Sequence, residues 1–245
     1  MWRMVVRGSA GQTQIDMNYK NHQTVQSGSL AASSFTNIAY SGVAYYNLVI
    51  SGLTSPMLAV RTEGTAVYHV HTVAGGNHTF QIIKGTAGTA PVEWWLFDVA
   101  APGQGALGGR NNMVIRNPAN NEIVFDLGRK PLRIADFIQQ DDSLTGDPGS
   151  GATTGRDYTY TAGRKYAVIP CRGGGFAQSV TLGVGTNLDR MDFTFDVACQ
   201  GIPNGLRITM LNTYNRIVPA SNSPPWTTGY NSRFSDWLVA DVTNY

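Results

Sequence analysis

The chain alternates apolar and polar residues over short runs, and Gly, Asn or Pro separates most of these runs. Such alternation predicts β-strands, whereas the spacing expected of an amphipathic helix is almost absent. In the first half, the predicted strands cover residues 38–40, 44–50, 56–61, 66–72, 78–83 and 92–99. In the second half, they cover residues 158–160, 166–171, 179–183, 190–197, 205–211 and 237–242.

One pattern of strand, turn and strand occurs twice. Residues 4–16 and 113–126 both open with Met-Val-Val/Ile-Arg, continue through a turn rich in Gly or Asn, and close on Asp. The two opening Met residues lie 109 positions apart and the two closing Asp residues 110 apart. Solenoid repeats have periods of about 20–50 residues, which is far shorter. The pattern therefore predicts two related domains that each begin with a β-hairpin.

The two halves also end alike. Residues 93–98 read Glu-Trp-Trp-Leu-Phe-Asp and residues 236–241 read Asp-Trp-Leu-Val-Ala-Asp. Residues 66–83 and 191–210 each predict a long hairpin. We therefore expect an all-β protein of two tandem, related antiparallel β-sandwich domains of the jelly-roll or Ig-like kind. The predicted parts are domain 1 (1–102), a Gly-rich linker (103–110) and domain 2 (111–245), with long loops at 140–156 and 218–231.

Composition narrows the classes of partner. Charged residues make up 14% of the chain, the net charge is +2, and the basic residues are scattered, so we expect no nucleic-acid partner. No apolar stretch approaches the ~20 residues that cross a bilayer. The N-terminal residues lack the apolar core of a secretory signal, so we expect synthesis in a cytoplasm and no membrane insertion. Cys171 and Cys199 are expected to be reduced, buried thiols, with a disulfide between them left open.

Residues that could carry chemistry are few. The sequence contains no nucleophile-elbow, phosphate-loop or zinc-protease motif, so we predict no enzymatic activity and no cofactor. His69 and His71 share one face of a predicted strand and His78 lies across the turn, so three imidazoles could bind a transition metal. The alternative is a polar strand face without a metal. It is favoured because no supporting carboxylate is evident nearby.

Aromatic residues are the best candidates for binding. Several lie in or just after the predicted loop at 218–231, where they suit stacking on a sugar ring or docking to a protein. The candidates there are Trp226, Tyr230 and Phe234, with Arg233 beside them. The open alternative is that Trp226 folds back over the sandwich. Trp94 and Trp95 alternate across a strand, so one is expected in the core and the other at the surface, with Trp94 as the candidate for an interaction.

The repeated hairpin resembles a pattern of small virion proteins of long-tailed bacteriophages, found among tail-tip and minor tail genes. In that family a serine follows the closing Asp, and here Met17 and Leu127 replace it. The first copy matches the pattern at Trp2, Val6, Gly11, Ile15 and Asp16. The second copy matches it at Val114, Ile115, Asn117, Phe125 and Asp126.

The resemblance implies a structural protein of the virion tail, located at the tail tip or baseplate and made in the cytoplasm of the host bacterium. Its expected partners are other virion tail proteins and further copies of itself in threefold or sixfold rings, with a host surface glycan or protein as a further contact. Two alternatives stay open. One is a carbohydrate-binding, lectin-like module that binds a receptor, and the other is a capsid decoration protein.

Overall fold

The computed structural model describes residues 5–7, 13–16, 21–99, 113–126, 128–140, 146–147, 152–153, 155–182, 189–219, 231–232 and 235–245. Across these ranges the chain is all-β, as predicted. It forms twenty-one strands and one short 3-10 turn at Ala32–Ser34, and the described residues contain no α-helix. Accordingly, no helix in these ranges is long and apolar enough to span a membrane.

The strands follow one another through short turns. The first half of the chain forms β1 (Val5–Arg7), β2 (Thr13–Asp16), β3 (Gln23–Leu30), β4 (Thr36–Asn37), β5 (Val43–Ser51), β6 (Met57–Thr62), β7 (Val67–Ala74), β8 (Asn77–Gly85) and β9 (Val92–Asp98). The second half begins with β10 (Val114–Arg116), β11 (Ile123–Asp126), β12 (Ile134–Gln140), β13 (Gly146–Asp147), β14 (Ala152–Thr153) and β15 (Arg156–Thr159). It continues with β16 (Tyr166–Arg172), β17 (Gly175–Leu182), β18 (Asp189–Ile202), β19 (Gly205–Pro219), β20 (Asn231–Ser232) and β21 (Ser235–Asp241).

Two large antiparallel sheets pack face to face. Sheet 1 has six strands in the order β12–β21–β16–β6–β9–β3. Sheet 2 has nine strands, of which seven follow the order β15–β19–β18–β7–β8–β5–β4. The other two extend it, since β17 pairs with β18 and β20 pairs with β17. Three separate two-stranded pairs complete the described structure, namely β1–β2, β10–β11 and β13–β14.

Each half of the chain contributes to both large sheets. In sheet 1 the block β3–β9–β6 meets the block β12–β21–β16 at the antiparallel pair Val60–Val168. In sheet 2 the two halves meet at the antiparallel pair Val67–Cys199, between β7 and β18. Because both sheets continue from one half into the other, the predicted pair of separate tandem sandwiches is not confirmed. The predicted linker at 103–110 lies outside the described residues, and its position stays a prediction.

The two halves repeat in register as well as in order. The hairpins β1–β2 and β10–β11 have the same pairing, with a register shift after the second residue pair of each. The edge strands β3 and β12 also share a bulge, which begins at Thr24 in one and at Ile134 in the other, 110 residues apart. The spacing of 110 that the sequence shows at Asp16 and Asp126 therefore extends into both edge strands.

The main hydrophobic core lies between the two sheets. Trp94 of β9 and Trp237 of β21 come from sheet 1, and side chains of β8 and β19 face them from sheet 2. Burial of one large apolar side chain contributes roughly 1.5–3 kcal/mol, so this layer stabilises both halves together. The most completely buried members of the core include Leu58, Phe80, Ile82, Leu96, Leu206 and Ile208.

A second hydrophobic cluster covers the opposite face of sheet 1. Trp95 and Phe97 of β9 belong to it, and Leu132 and Tyr245 pack against it. The expectation that only one of the paired tryptophans is buried is therefore wrong. Trp94 and Trp95 are each 5% exposed, because other parts of the chain cover both faces of sheet 1.

Two connectors hold this second cluster in place. They are residues 21–24, which include the start of β3, and residues 130–133, which lead into β12. The Leu132 amide donates to the His22 carbonyl over 2.9 Å, and the Thr24 amide donates to the Lys130 carbonyl over 2.8 Å. Tyr245 closes the layer, since its hydroxyl donates to the carbonyl of Pro131. The connectors of the two halves thus bind each other across the outer face of sheet 1.

The two cysteines differ in their surroundings. Both are free thiols. Cys199 is buried, as expected, and burial raises the pKa of its thiol. Cys171 is exposed, contrary to the expectation, because it lies near the end of β16, where the strand leaves the core.

Candidate functional site

Only one of the predicted interaction residues, Trp94, lies among the described residues. Trp226, Tyr230, Arg233 and Phe234 lie outside the described residues, as do most of the predicted loops at 140–156 and 218–231, so their role stays a prediction. Trp94 is described, and its position does not fit a surface contact. Its ring is buried between the sheets and packs so closely on Gly28 that an added Cβ there would lie 2.8 Å from a ring carbon.

The three histidines of β7 and β8 lie near one another, as predicted. His69 is buried, and its Nε2 lies 2.7 Å from the Leu58 carbonyl oxygen of sheet 1, so Nε2 donates this bond. Burial lowers the pKa of His69 to about 4, although the hydrogen bond to Leu58 acts in the opposite direction. His69 is therefore a neutral side chain that links the two sheets.

His71 and His78 form a stacked column with Phe80. The ring of His71 stacks on Phe80 at 4.4 Å and on His78 at 5.2 Å between ring centroids. His71 Nε2 lies 3.0 Å from His78 Nδ1, a distance at which one nitrogen donates and the other accepts. Burial, and then the nearby His78, lower the pKa of His71. Over the described ranges, no three His, Cys, Asp or Glu side chains are placed to hold a metal ion. The contacts of these imidazoles are with an aromatic ring and with each other.

A polar cavity lies where the two halves meet at one end of sheet 1. Its volume is about 500 Å³. The first half contributes the end of β6 and the start of β9. The second half contributes the residues that precede β16, the β18–β19 turn and the residues that follow β21. The lining consists of Arg61, Glu63, Glu93, Trp95, Gly163, Arg164, Lys165, Asn204, Val242, Thr243, Asn244 and Tyr245.

Ion pairs fix the charged side chains of this cavity. Lys165 Nζ lies 2.9 and 3.1 Å from the two carboxylate oxygens of Glu93, which joins β9 to the segment before β16. Arg164 binds Asp241 over 2.7 Å. Burial alone would raise the pKa of Asp241, but hydrogen bonds from Thr243 and Arg164 hold it below its usual range. The charged side chains that line the cavity are therefore already in ion pairs within the protein.

Arg61 forms the innermost link between the halves. It is 5% exposed, and its guanidinium donates to the carbonyl oxygens of Tyr166, Gly205 and Ile202 at 2.9, 3.3 and 3.2 Å. It also binds the exposed Glu63 over 2.9 Å. All three carbonyls belong to the second half of the chain, whereas Arg61 lies near the end of β6 in the first. A second link of this kind is the hydrogen bond of 2.8 Å from the Tyr68 hydroxyl to Asp196.

The smaller polar groups of the cavity are held by the backbone around them. Asn204, in the β18–β19 turn, accepts the Gly163 amide over 2.8 Å through its Oδ1. The hydroxyl oxygen of Thr243 accepts the Lys165 amide over 2.8 Å. Asn204 and Asn244 both have positive φ, at 55° and 64°, a conformation that asparagine tolerates better than most residues. The side chains of Asn204 and Thr243 are thus held by backbone amides of the segment before β16.

Sequence reasoning missed this cavity. Its residues come from five separate segments, and none of them forms a recognisable motif. One signal was present in the composition, since the chain has only three glutamates, Glu63, Glu93 and Glu122, and the first two line the cavity.

No family model matches the chain, and no curated protein and no solved structure matches it significantly.

Proposed function

We propose that the protein is a structural subunit of a bacteriophage virion, assembled in several copies at the tail tip or baseplate in contact with other tail proteins. The observation that carries this proposal is the repeated hairpin. Its two copies have the same pairing and the same register shift, and each leads into an edge strand of sheet 1. This is the element on which the resemblance to phage tail proteins rests.

The roles of the buried polar groups support a structural, noncatalytic protein. Arg61 links the halves, and His69 links the sheets. The buried Asp98 accepts hydrogen bonds from the amides of Thr54 and Ser55, which fixes the turn before β6. The hydrogen bonds that these three side chains form are with other parts of the same chain, as expected of an assembly module.

The edges of sheet 1 support self-association. β12 forms one edge, and its Ile134 and Phe137 are 48% and 52% exposed. Unpaired edge strands readily accept a strand of another chain, and subunit contacts are a common way of covering them. We infer that β12 takes part in a lateral contact of a homo-oligomer, in the threefold or sixfold ring that the resemblance implies.

We also propose that the two halves are repeats of one sandwich unit, fused side by side rather than linked in tandem. The support is the matching strand order, β3–β9–β6 beside β12–β21–β16 in sheet 1 and β7–β8–β5 beside β18–β19–β15 in sheet 2. At both junctions corresponding strands are neighbours and run antiparallel, which is the arrangement that a twofold axis through the sheets would produce.

The test is to locate the chain on intact virions by cryo-electron microscopy, together with its copy number. Density at the tail tip or baseplate in threefold or sixfold rings is the expected result. Density on the head would replace the proposal with a capsid decoration protein. Absence of the chain from purified virions would overturn the assembly role altogether.

A further inference from the structure

We infer that the cavity between the two halves is a binding site for a neutral, hydroxyl-rich ligand of the size of a mono- or disaccharide. The inference depends on the cavity alone and not on the proposed place of the protein in a virion. Its volume, about 500 Å³, falls within the range of roughly 300–1,000 Å³ that is usual for small-molecule sites.

The charge balance of the lining argues against an ionic ligand. Every cation of the lining has an acceptor within the protein, because Lys165 binds Glu93, Arg164 binds Asp241, and Arg61 binds Glu63 together with three carbonyls. The charge of each cation is thereby balanced, so an anionic ligand would gain less here than beside an unpaired cation. The carboxylates are balanced in the same way, which reduces the gain for a cationic ligand. A neutral ligand that forms hydrogen bonds does not depend on an unbalanced charge.

The remaining hydrogen-bonding capacity suits hydroxyl groups. Glu63 binds Arg61 through Oε1, is 70% exposed, and offers its other oxygen as an acceptor. Asn204 uses its carbonyl oxygen on Gly163, so its amide nitrogen has two protons to donate. Thr243 adds nothing to this set, because its hydroxyl oxygen accepts the Lys165 amide and its side chain also binds Asp241. A hydroxyl group both donates and accepts, so a ligand with several hydroxyls can satisfy such a mixed set.

One aromatic ring supplies the accessible apolar part of the site. Trp95 and Tyr245 both line the cavity, but Trp95 is only 5% exposed, so the partly buried Tyr245 is the ring that a ligand could contact. Tyr245 is held in place by an edge-to-face contact with Phe97 at 5.8 Å and by the cations of Lys130 and Arg133 at 5.4 and 5.2 Å from its ring. The Tyr245 hydroxyl already donates to the Pro131 carbonyl, so the ring offers a ligand its apolar surface, which suits the C–H face of a sugar ring. The combination of a fixed amide donor, paired carboxylates and one accessible aromatic ring therefore favours a saccharide.

The experiment is a titration of the full chain with glucose, galactose, N-acetylglucosamine and maltose, followed by saturation-transfer NMR, with inorganic phosphate as an anionic probe. Saturable binding of at least one saccharide is expected. Glu93→Gln removes the charge that orients Lys165 and should weaken this binding at least tenfold, which is about 1.4 kcal/mol. Glu122→Gln changes the remaining glutamate, on the exposed β10–β11 turn, and should bind as the wild type does.

Asn204→Asp is a second variant that guards against a folding defect. Aspartate also tolerates positive φ and keeps the oxygen that accepts the Gly163 amide, but it loses the two amide protons. This variant should keep the thermal unfolding midpoint close to that of the wild type and lose saccharide binding. Three results would each overturn the inference: no saturable binding of any of the four saccharides, binding of phosphate in their place, or unchanged saccharide binding by both folded variants.

Discussion

Two arginines at corresponding positions have different roles in the two halves. Arg61 in β6 is the register partner of Glu93, and Arg172 in β16 is the register partner of Asp236. Arg172 forms the surface ion pair that this register offers, with Nε 3.1 Å from Asp236. Arg61 instead turns into the junction and binds three carbonyls of the other half.

This difference between the two arginines explains how the ion pair that lines the cavity can form beside Arg61. Because Arg61 leaves its register partner, Glu93 is free to bind Lys165, and that ion pair forms one wall of the cavity. Gly201 makes the turn of Arg61 possible, since a Cβ there would lie 2.6 Å from the guanidinium carbon. The different direction of one side chain thus goes together with a cavity at one end of sheet 1.

The largest effect should come from replacing these two arginines. Arg61→Met leaves two buried carbonyls and one partly buried carbonyl without their donor, and we expect a loss of about 3–5 kcal/mol in the free energy of unfolding. Arg172→Met breaks only a surface pair and should cost less than about 1 kcal/mol. Denaturant titration of both variants measures the difference. Equal losses would show that Arg61 does not link the halves.

Acid should lower the stability of the folded protein through protonation of His69. Its pKa is about 4 in the folded protein and near 6.5 when unfolded, so between these values the unfolded chain binds the proton more readily. The neutral imidazole contributes about 3 kcal/mol to the free energy of unfolding. This contribution is fully present above pH 6.5 and is lost as the pH falls toward 4. Denaturant titrations at a series of pH values should show the free energy of unfolding falling with pH in the wild type and in a His22→Gln control. His69→Gln should make this fall smaller. An equally large fall in His69→Gln would assign the acid sensitivity to another group.

The edge strands give a third comparison, between Gly28 and Ile138. These residues pair with Trp94 and Trp237 at corresponding positions of sheet 1. Gly28→Ala places a methyl group 2.8 Å from the Trp94 ring, and we expect a loss of about 1–3 kcal/mol. Ile138→Val removes a single methyl group from a filled site and should cost about 0.5–1.5 kcal/mol. Thermal unfolding measures both, and a stabilising Gly28→Ala would show that the tryptophan ring can shift.

The smallest effect concerns the two core tryptophans. Trp237 Nε1 donates to Ser235 over 2.9 Å, whereas Trp94 Nε1 finds no partner among the described residues. Replacement by phenylalanine removes similar volume from both sites, but only at Trp237 does it break a hydrogen bond. We expect Trp237→Phe to cost about 1 kcal/mol more than Trp94→Phe in equilibrium unfolding. The reverse order would indicate that packing outweighs the hydrogen bond.

Much of the strand pattern could be predicted from the sequence. The predicted strand at 78–83 became β8 (Asn77–Gly85), whose buried and less buried residues alternate along its first part. The predicted strand at 92–99 became β9 (Val92–Asp98), which is buried on both faces and reads as a short apolar run. The two long hairpins, β7–β8 and β18–β19, are confirmed as well.

The missed strands lie at the edges. β3 reads Gln-Thr-Val-Gln-Ser-Gly-Ser-Leu and is mostly exposed, so its alternation carries almost no hydrophobic signal. β12 was missed too, and only its Ile138 enters the main core. The burial of both Trp94 and Trp95 could not be predicted, since the cover over Trp95 is built by distant connectors. The cavity was missed for the same reason, because only the folded chain brings its segments together.

Cys199 gives the protein a native reporter of separation between its halves. The thiol is 2% exposed and lies at the junction pair with Val67, so a thiol reagent reaches it only when β7 and β18 part. Cys171 is exposed and should react at once, which supplies an internal reference in the same chain. The ratio of the two labelling rates would therefore report how often β7 and β18 separate at the junction of the two halves, without any engineered residue.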